Sequence, residues 1–316
     1  MNFGLTGAAG YIAPRHLKAI KDTGHRLIAA IDPHDAVGIL DRFSFDVRFF
    51  TEIERFDRHL EKLRRGPEAD RVHYVSICSP NYLHDSHIRL ALRVGSNVLC
   101  EKPLVINPWN LDGLQGLEQE TGKRVSTVLQ LRLHPQLVAL RERLIAQASA
   151  RTHDVSLAYV TARGPWYDTS WKGSDERSGG IVTNIGIHLF DLLVWLFGPV
   201  RTCEVHMRQP RRIAGFLALD RAQVRWFLST AAQDLPSEAT LALKTTHRSI
   251  IVDGREVEFS DGFGDLHTRV YEETLAGRGF GLDDSRPSIE LSHRIRMTPV
   301  VPAPSRAHPM LAALGI

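Results

Sequence analysis

The sequence predicts an α/β protein: a doubly wound parallel sheet in the N-terminal part, then an α+β region with a large, mainly antiparallel open sheet. Three observations carry this expectation. Up to residue 130, short apolar runs alternate with stretches whose apolar residues recur at helical spacing, the pattern of βαβ units. Beyond residue 150, strand-like runs follow one another, some separated by turn signals such as Asp253-Gly254. A turn of small residues, Thr6-Gly7-Ala8-Ala9-Gly10, joins the first apolar run to the first helical stretch.

In order, the first part reads as strands at Asn2 to Thr6, Leu27 to Ile31, Tyr74 to Cys78, Asn97 to Cys100 and Arg124 to Val128. Helical spacing fills Ile12 to Asp22, Glu52 to Arg65, His84 to Val94 and Pro108 to Thr121. After a helix at Pro135 to Ala148, strands are expected at Val155 to Thr161, Val200 to Met207, Val224 to Leu228, Thr240 to Leu243, Ile250 to Val252 and Glu256 to Phe259. This places a first domain at 1–130 and a second at 131–316, whose Pro-rich end, from about 299, reads as an extended tail.

The chain has 316 residues, with 39 basic and 36 acidic side chains, for a net charge of +3. The surplus is spread out: residues 1–128 hold 17 basic and 16 acidic groups. No basic lobe is available to follow a phosphate backbone, so nucleic acid is not an expected partner. Three cysteines with no CxxC spacing argue against disulfides and a structural zinc site, and no metal is expected. A reducing cytoplasm is the matching compartment. The most apolar window, Ile185 to Phe197, is interrupted by His188 and Asp191, so no membrane span is expected.

The small-residue turn suits a nucleotide. Gly7 and Gly10 let the backbone approach a pyrophosphate, with Tyr11 and Ile12 opening the helix whose free N–H groups meet its charge. Ala9 stands where a GxGxxG reading has its second Gly, so the turn alone is also compatible with an ordinary loop. Asp32 ends the second strand, where a carboxylate takes both ribose hydroxyls and repels a 2′-phosphate. That favours NAD over NADP on a Rossmann domain. The TGxxGxxA spelling also fits short-chain dehydrogenases, but none of the six Tyr residues has Lys four positions later, so their proton-transfer pair is missing.

Two further segments, Ser79-Pro80-Asn81-Tyr82-Leu83-His84 and Glu101-Lys102-Pro103, follow the ends of strands, where open α/β sheets bind ligands. Lys102 reads either as a proton donor or alkoxide-stabilising cation, or as half of a surface Glu-Lys pair. In the apolar stretch after Ser178-Gly179-Gly180, helical spacing puts Asn184, His188 and Asp191 on one face. A histidine so flanked can accept a hydroxyl proton, with Asp191 fixing its tautomer; a core histidine bonded to backbone is the competing reading. Upstream, Arg163, Trp166, Tyr167, Trp171 and Lys172 join cations to aromatic faces, for an anionic ligand carrying a flat ring or for packing between domains.

With Gln130-x-Arg132-x-His134-Pro135 added, these segments occur in the order found in the Gfo/Idh/MocA oxidoreductases, which the chain resembles along nearly its whole length. The resemblance implies NAD(P)-dependent oxidation of a sugar alcohol, catalytic Lys102 and His188 in either proton-transfer order, and cofactor contacts from Ser79, Asn81, His84, Glu101, Lys102 and Gln130. The segments around Arg163, Ser170-Trp171-Lys172-Gly173, Thr183 to His188 and Ala222 to Ser229 are similar to members that oxidise UDP-N-acetyl-glucosaminuronate at C3 for lipopolysaccharide O-antigen synthesis. For these it implies a nucleotide-sugar substrate held by Lys102, Arg163, Trp166, Tyr167, Trp171, Lys172, Asn184 and His188, and 2-oxoglutarate as a possible hydride acceptor. It also implies a homodimer or homotetramer joined through the C-terminal sheet. Many relatives carry Asp at the position of Asn184. Other members act on free polyols or are non-catalytic regulators; retention of both Lys102 and His188 speaks against the last.

Overall fold

A computed structural model describes residues 1–147, 151–257, 259, 264–302 and 305–315. The chain divides into two compact units, 1–133 with 264–286, and 134–263 with 287–316. The expected boundary at 130 lies close to the first crossing, but residues 264–286 return to the first unit instead of remaining with the second.

The first unit begins β1 (Asn2–Thr6), α1 (Ala13–Asp22), β2 (Arg26–Ile31), β3 (Arg48–Phe50), α2 (Ile53–Arg65), β4 (Tyr74–Ile77) and α3 (His84–Arg93). It continues with β5 (Asn97–Cys100), α4 (Trp109–Thr121) and β6 (Val125–Thr127). Its six strands run parallel in the order β3-β2-β1-β4-β5-β6, the doubly wound arrangement that opens a crevice at the carboxyl end of β1. Parallel strands covered on both faces are shielded from solvent on both, and all five residues of β1 are buried, with polar Asn2 and Thr6 only at its ends. The edge strand β3 was not foreseen: three residues are too few to show a periodicity.

The second unit holds α5 (Pro135–Ala146), β7 (His153–Thr161), the short helices α6 (Trp166–Thr169) and α7 (Asp175–Ser178), and α8 (Ile187–Phe197). Then come β8 (Val200–Gln209), β9 (Arg212–Leu219), β10 (Ala222–Ser229), α9 (Ser237–Leu241), β11 (Thr246–Val252) and β12 (Arg255–Glu256). Its sheet order is β12-β11-β7-β10-β9-β8, antiparallel except for the β7–β10 pair.

The strand expected at Thr240 to Leu243 is instead the end of α9 and the turn after it. Pro236 and Ser237 start that helix, and Leu241 and Leu243 are exposed. Residues 148 and 258, on which the expected ends of one helix and one strand depend, lie outside the described residues. Returning to the first unit is α10 (Leu266–Leu275), and α11 (Leu282–Met297) spans the last crossing. The expected extended tail instead contains α12 (Pro309–Ala313), whose Leu311 packs with Val160, Met207 and Phe227.

The helical run Asp175–Phe197 is long and apolar enough to cross a membrane, yet 72% of its most apolar window is buried inside the protein, as for a core helix. Cys78 and Cys100 are buried free thiols and Cys203 is a half-buried one.

Candidate active site

The first unit carries a nucleotide cradle. At φ +77°, Gly7 sits where side chains are strained, and a Cβ there would lie 2.5 Å from the Cys78 carbonyl oxygen. The N–H groups of Gly7 and Ala8 both donate to the Ile31 carbonyl, which fastens the turn to β2. Behind the turn, α1 opens with no side-chain cap at Ile12 and no acidic residue in its first turn, leaving its positive end to meet an anion. Tyr11 is exposed beside it.

Buried Asp32 accepts the Ala9 N–H on Oδ2 at 3.0 Å and the His34 N–H on Oδ1 at 2.9 Å. Those bonds fix its carboxylate at the end of β2, where its charge repels a 2′-phosphate. Gln130 is buried, and its Oε1 accepts no hydrogen bond within the protein. An orphaned buried acceptor costs stability unless a ligand satisfies it. Glycine cradle, uncapped helix, anchored carboxylate and orphaned amide together fit NAD.

Other residues expected to contact the cofactor also make hydrogen bonds that tie the surrounding turns together. His84 is buried, with Nδ1 2.7 Å from the Pro103 carbonyl and Nε2 2.8 Å from the Ser79 carbonyl, so it ties the turn after β4 to the turn after β5. Ser79 meets His87 Nδ1 at 2.9 Å through its hydroxyl. Asn81 is buried in the same turn and Lys102 is half-buried. Sequence reasoning missed the partners of Glu101: its Oε1 accepts from His16 Nε2 and His267 Nε2, each at 3.0 Å. Arg132 binds Asp284 at 3.0 Å, joining the turn after β6 to the returning segment.

In the second unit, Asn184 and His188 are half-buried, while every other residue from Ile181 to Leu193 is buried. Residues 182–186 form a wide π turn before α8, a local irregularity frequent at functional sites. Asn184 Nδ2 donates to the Tyr167 hydroxyl at 3.1 Å. Gly179, at φ +79°, and Gly180, at φ +67°, let the preceding turn close against Thr183 and Asp175. Thr183 is buried with no partner for its hydroxyl, a further polar atom the sequence reading overlooked.

Lys172 lies 5.7 Å from the Trp166 ring centre and 5.6 Å from that of Trp171. Burial, then repulsion from Arg163, lowers its pKa. No ion pair to Arg163 or Lys172 is found among the described residues. Lys172 thus sits beside two aromatic faces with the Arg163 charge near it, a combination chemically suited to meeting an anion.

A parallel sheet with an NAD cradle at its switch point, followed by a unit whose buried helical run leaves Asn184 and His188 half-buried, is the arrangement of a nicotinamide-dependent oxidoreductase. Family comparison agrees: residues 1–128 match the NAD-binding Rossmann domain, and 151–225 the C-terminal α/β domain, of the Gfo/Idh/MocA oxidoreductases. The chain belongs to this family.

Two crystal structures of the WlbA (WbpB) dehydrogenase from Thermus thermophilus, one with NAD and alpha-ketoglutarate and one with NAD and UDP-GlcNAcA, are 53% and 52% identical to it. Each has a TM-score of 0.94, with 98% of this chain and 99% of that one covered. The WlbA dehydrogenase from Bordetella pertussis shares the fold at 20% identity, with a TM-score of 0.75 and 96% and 97% of the two chains covered. The inositol 2-dehydrogenase of Rhizobium meliloti is 29% identical over 203 residues, 63% of this chain and 55% of that protein. The chain spans about half the length of the curated relatives it matches.

Proposed function

We propose that this protein uses NAD to oxidise the C3 hydroxyl of UDP-N-acetyl-glucosaminuronate to the 3-keto sugar, a step toward the diacetamido uronic acid of lipopolysaccharide O-antigen. The observation carrying this reading is the pair Asn184 and His188, the half-buried residues of an otherwise buried helical run. The two cations Arg163 and Lys172 give a reason for an anionic sugar nucleotide. Likeness across the full length to a dehydrogenase crystallised with NAD and UDP-GlcNAcA supports the substrate.

In this mechanism His188 takes the proton of the C3 hydroxyl and Lys102 stabilises the developing alkoxide. Arg163 and Lys172 hold the carboxylate or diphosphate, while Trp166, Tyr167 and Trp171 pack against sugar or base. Bound NAD supplies the chemistry of hydride acceptance. The cofactor turn uses Gly7, Gly10, Tyr11, Ile12 and Asp32, with Ser79, Asn81, Lys102 and Gln130 around it. We place the enzyme in the cytoplasm as a dimer or tetramer joined through its C-terminal sheet. Reoxidation of NADH by 2-oxoglutarate without release is supported by the alpha-ketoglutarate complex of the Thermus protein.

The test is NAD reduction, read at 340 nm, across UDP-sugars with and without a C6 carboxylate and free inositols, each with and without 2-oxoglutarate. Turnover of the uronate at least tenfold above UDP-N-acetylglucosamine is expected. Equal rates on both sugars, or preference for a free polyol, would reject the substrate assignment. His188→Asn should lower turnover by about a hundredfold or more, the usual contribution of a general base.

A further inference from the structure

Glu101 occupies an enclosed site in the first unit. Its Oε1 lies 3.0 Å from Nε2 of both His16 and His267, and its Oε2 is 3.3 Å from the main-chain N–H of Lys102. His16 Nδ1 is 2.8 Å from the Tyr271 hydroxyl, which is 2.6 Å from the Ser76 hydroxyl. All five side chains are buried.

Donors and acceptors in this chain can be assigned in only one consistent direction if His16 is neutral and Glu101 ionised. Ser76 donates to Tyr271, Tyr271 donates to His16 Nδ1, and both histidines donate from Nε2 to the carboxylate. His267 and Tyr271 lie four residues apart on α10, in the segment that returns to the first unit more than 160 residues after Glu101.

We infer that His16, His267 and Tyr271 are positioning residues: they hold the Glu101 carboxylate ionised and oriented, and through it fix the turn that presents Lys102. Burial is the largest influence on Glu101 and opposes ionisation, but the hydrogen bonds from His16 and His267 bring its carboxyl well below the usual range. Burial lowers the pKa of His16, consistent with the neutral form the chain requires. The other titratable groups around Glu101 are Cys78 and Cys100 at the ends of β4 and β5, His84 on α3, and Lys102 itself. Burial keeps both thiols neutral, and the Glu101 charge adds to that effect.

The role rests on Lys102 acting in the proposed oxidation, so the test has one arm that does not use turnover. In NAD-loaded protein labelled with 15N-histidine, NMR from pH 6 to 9 should show His16 as the neutral Nε2–H tautomer and His267 protonated at Nε2. A cationic His16, its Nδ1–H tautomer, or a stoichiometric bound metal ion replacing these protons would overturn the assignment.

In the second arm, kcat/KM of His267→Leu relative to wild type should fall at least tenfold between pH 9 and pH 6, because a carboxyl with fewer donors takes up a proton. His267→Gln keeps a donor and should restore most of that loss. A variant-to-wild-type ratio constant over this range would show a merely structural contact and sink the inference. If His267→Leu does not fold, Tyr271→Phe tests the same chain by losing the Nε2–H tautomer of His16 and showing the same acid-side fall. Absence of wild-type turnover on the uronate would refute the proposed function, while the tautomer arm would still decide this inference.

Discussion

Among single residues, Gly7 shows most directly how sequence becomes function. A strand must end, reverse and start a helix within six residues while leaving backbone close to a pyrophosphate, and only a residue without Cβ satisfies this at φ +77° with the Cys78 carbonyl behind it. Gly7→Ala should cost about 2–4 kcal/mol, adding left-handed strain to overlap with backbone. It should also weaken NAD binding by more than tenfold. Thermal denaturation and a fluorescence titration with NAD measure the two effects, and an unchanged affinity would remove Gly7 from the cradle. The positions of Gly7 and Asp32 were legible because each stands at the end of a strand that the local apolar pattern marks, although the contacts that hold them, to Cys78 and Ala9, are not local. The bracing roles of His84 and Glu101 were not legible, since their partners, including His16 and His267, are set by tertiary packing.

Segments make the same distinction at a larger scale. Residues 163–184 gather the cationic and aromatic groups, and the half-burial of Lys172 beside Arg163 is favourable only if an anion comes to lie there. Lys172→Met should therefore raise KM for the uronate about tenfold and leave kcat within about threefold, since the lost attraction is equal in ground and transition states. Steady-state kinetics on the carboxylated and uncarboxylated sugars check this, and a loss confined to kcat would contradict it.

The parallel strands of the first unit were readable almost to the residue because continuous apolar runs bounded by turns leave few alternatives. β9 was not, because Arg212–Leu219 contains Ala214, Gly215 and Ala218, poor strand formers by themselves. Its position is dictated by the neighbouring strand: Gly215 pairs with Trp226, and a Cβ at Gly215 would lie 2.7 Å from the indole and 2.1 Å from the Glu204 carbonyl. Packing between strands selects the small residue there, and nothing local announces it. The return of 264–286 to the first unit was likewise invisible, since helical spacing does not say which sheet a helix will cover.

Over the whole molecule, the fifteen histidines matter more for stability than for charge. Apart from His188, several are half-buried or buried with lowered pKa values: His87 is brought to about 4 by burial and then by His84, and His308 to about 4 by burial and then by Arg225. His16 and His84 shift in the same direction, with burial the largest cause.

A histidine that stays neutral in the fold but protonates near pH 6.5 once unfolded gives the unfolded chain more bound protons between pH 6.5 and 4. Stability must therefore fall as pH drops through that window, by on the order of 3 kcal/mol for each group shifted to about 4. Carboxylates held below their usual range, such as Glu101, add their loss only at lower pH. Acid unfolding should accordingly begin near pH 6.5, above the carboxylate range.

His308→Asn gives the sharper check. His308 Nδ1 accepts the Met310 N–H as the cap of α12, and an Asn oxygen can take that bond without titrating. Denaturant unfolding followed from pH 8 to 4 should show a shallower loss in the variant, by about one proton's worth of slope, and superimposable slopes would mean that His308 does not drive the acid transition.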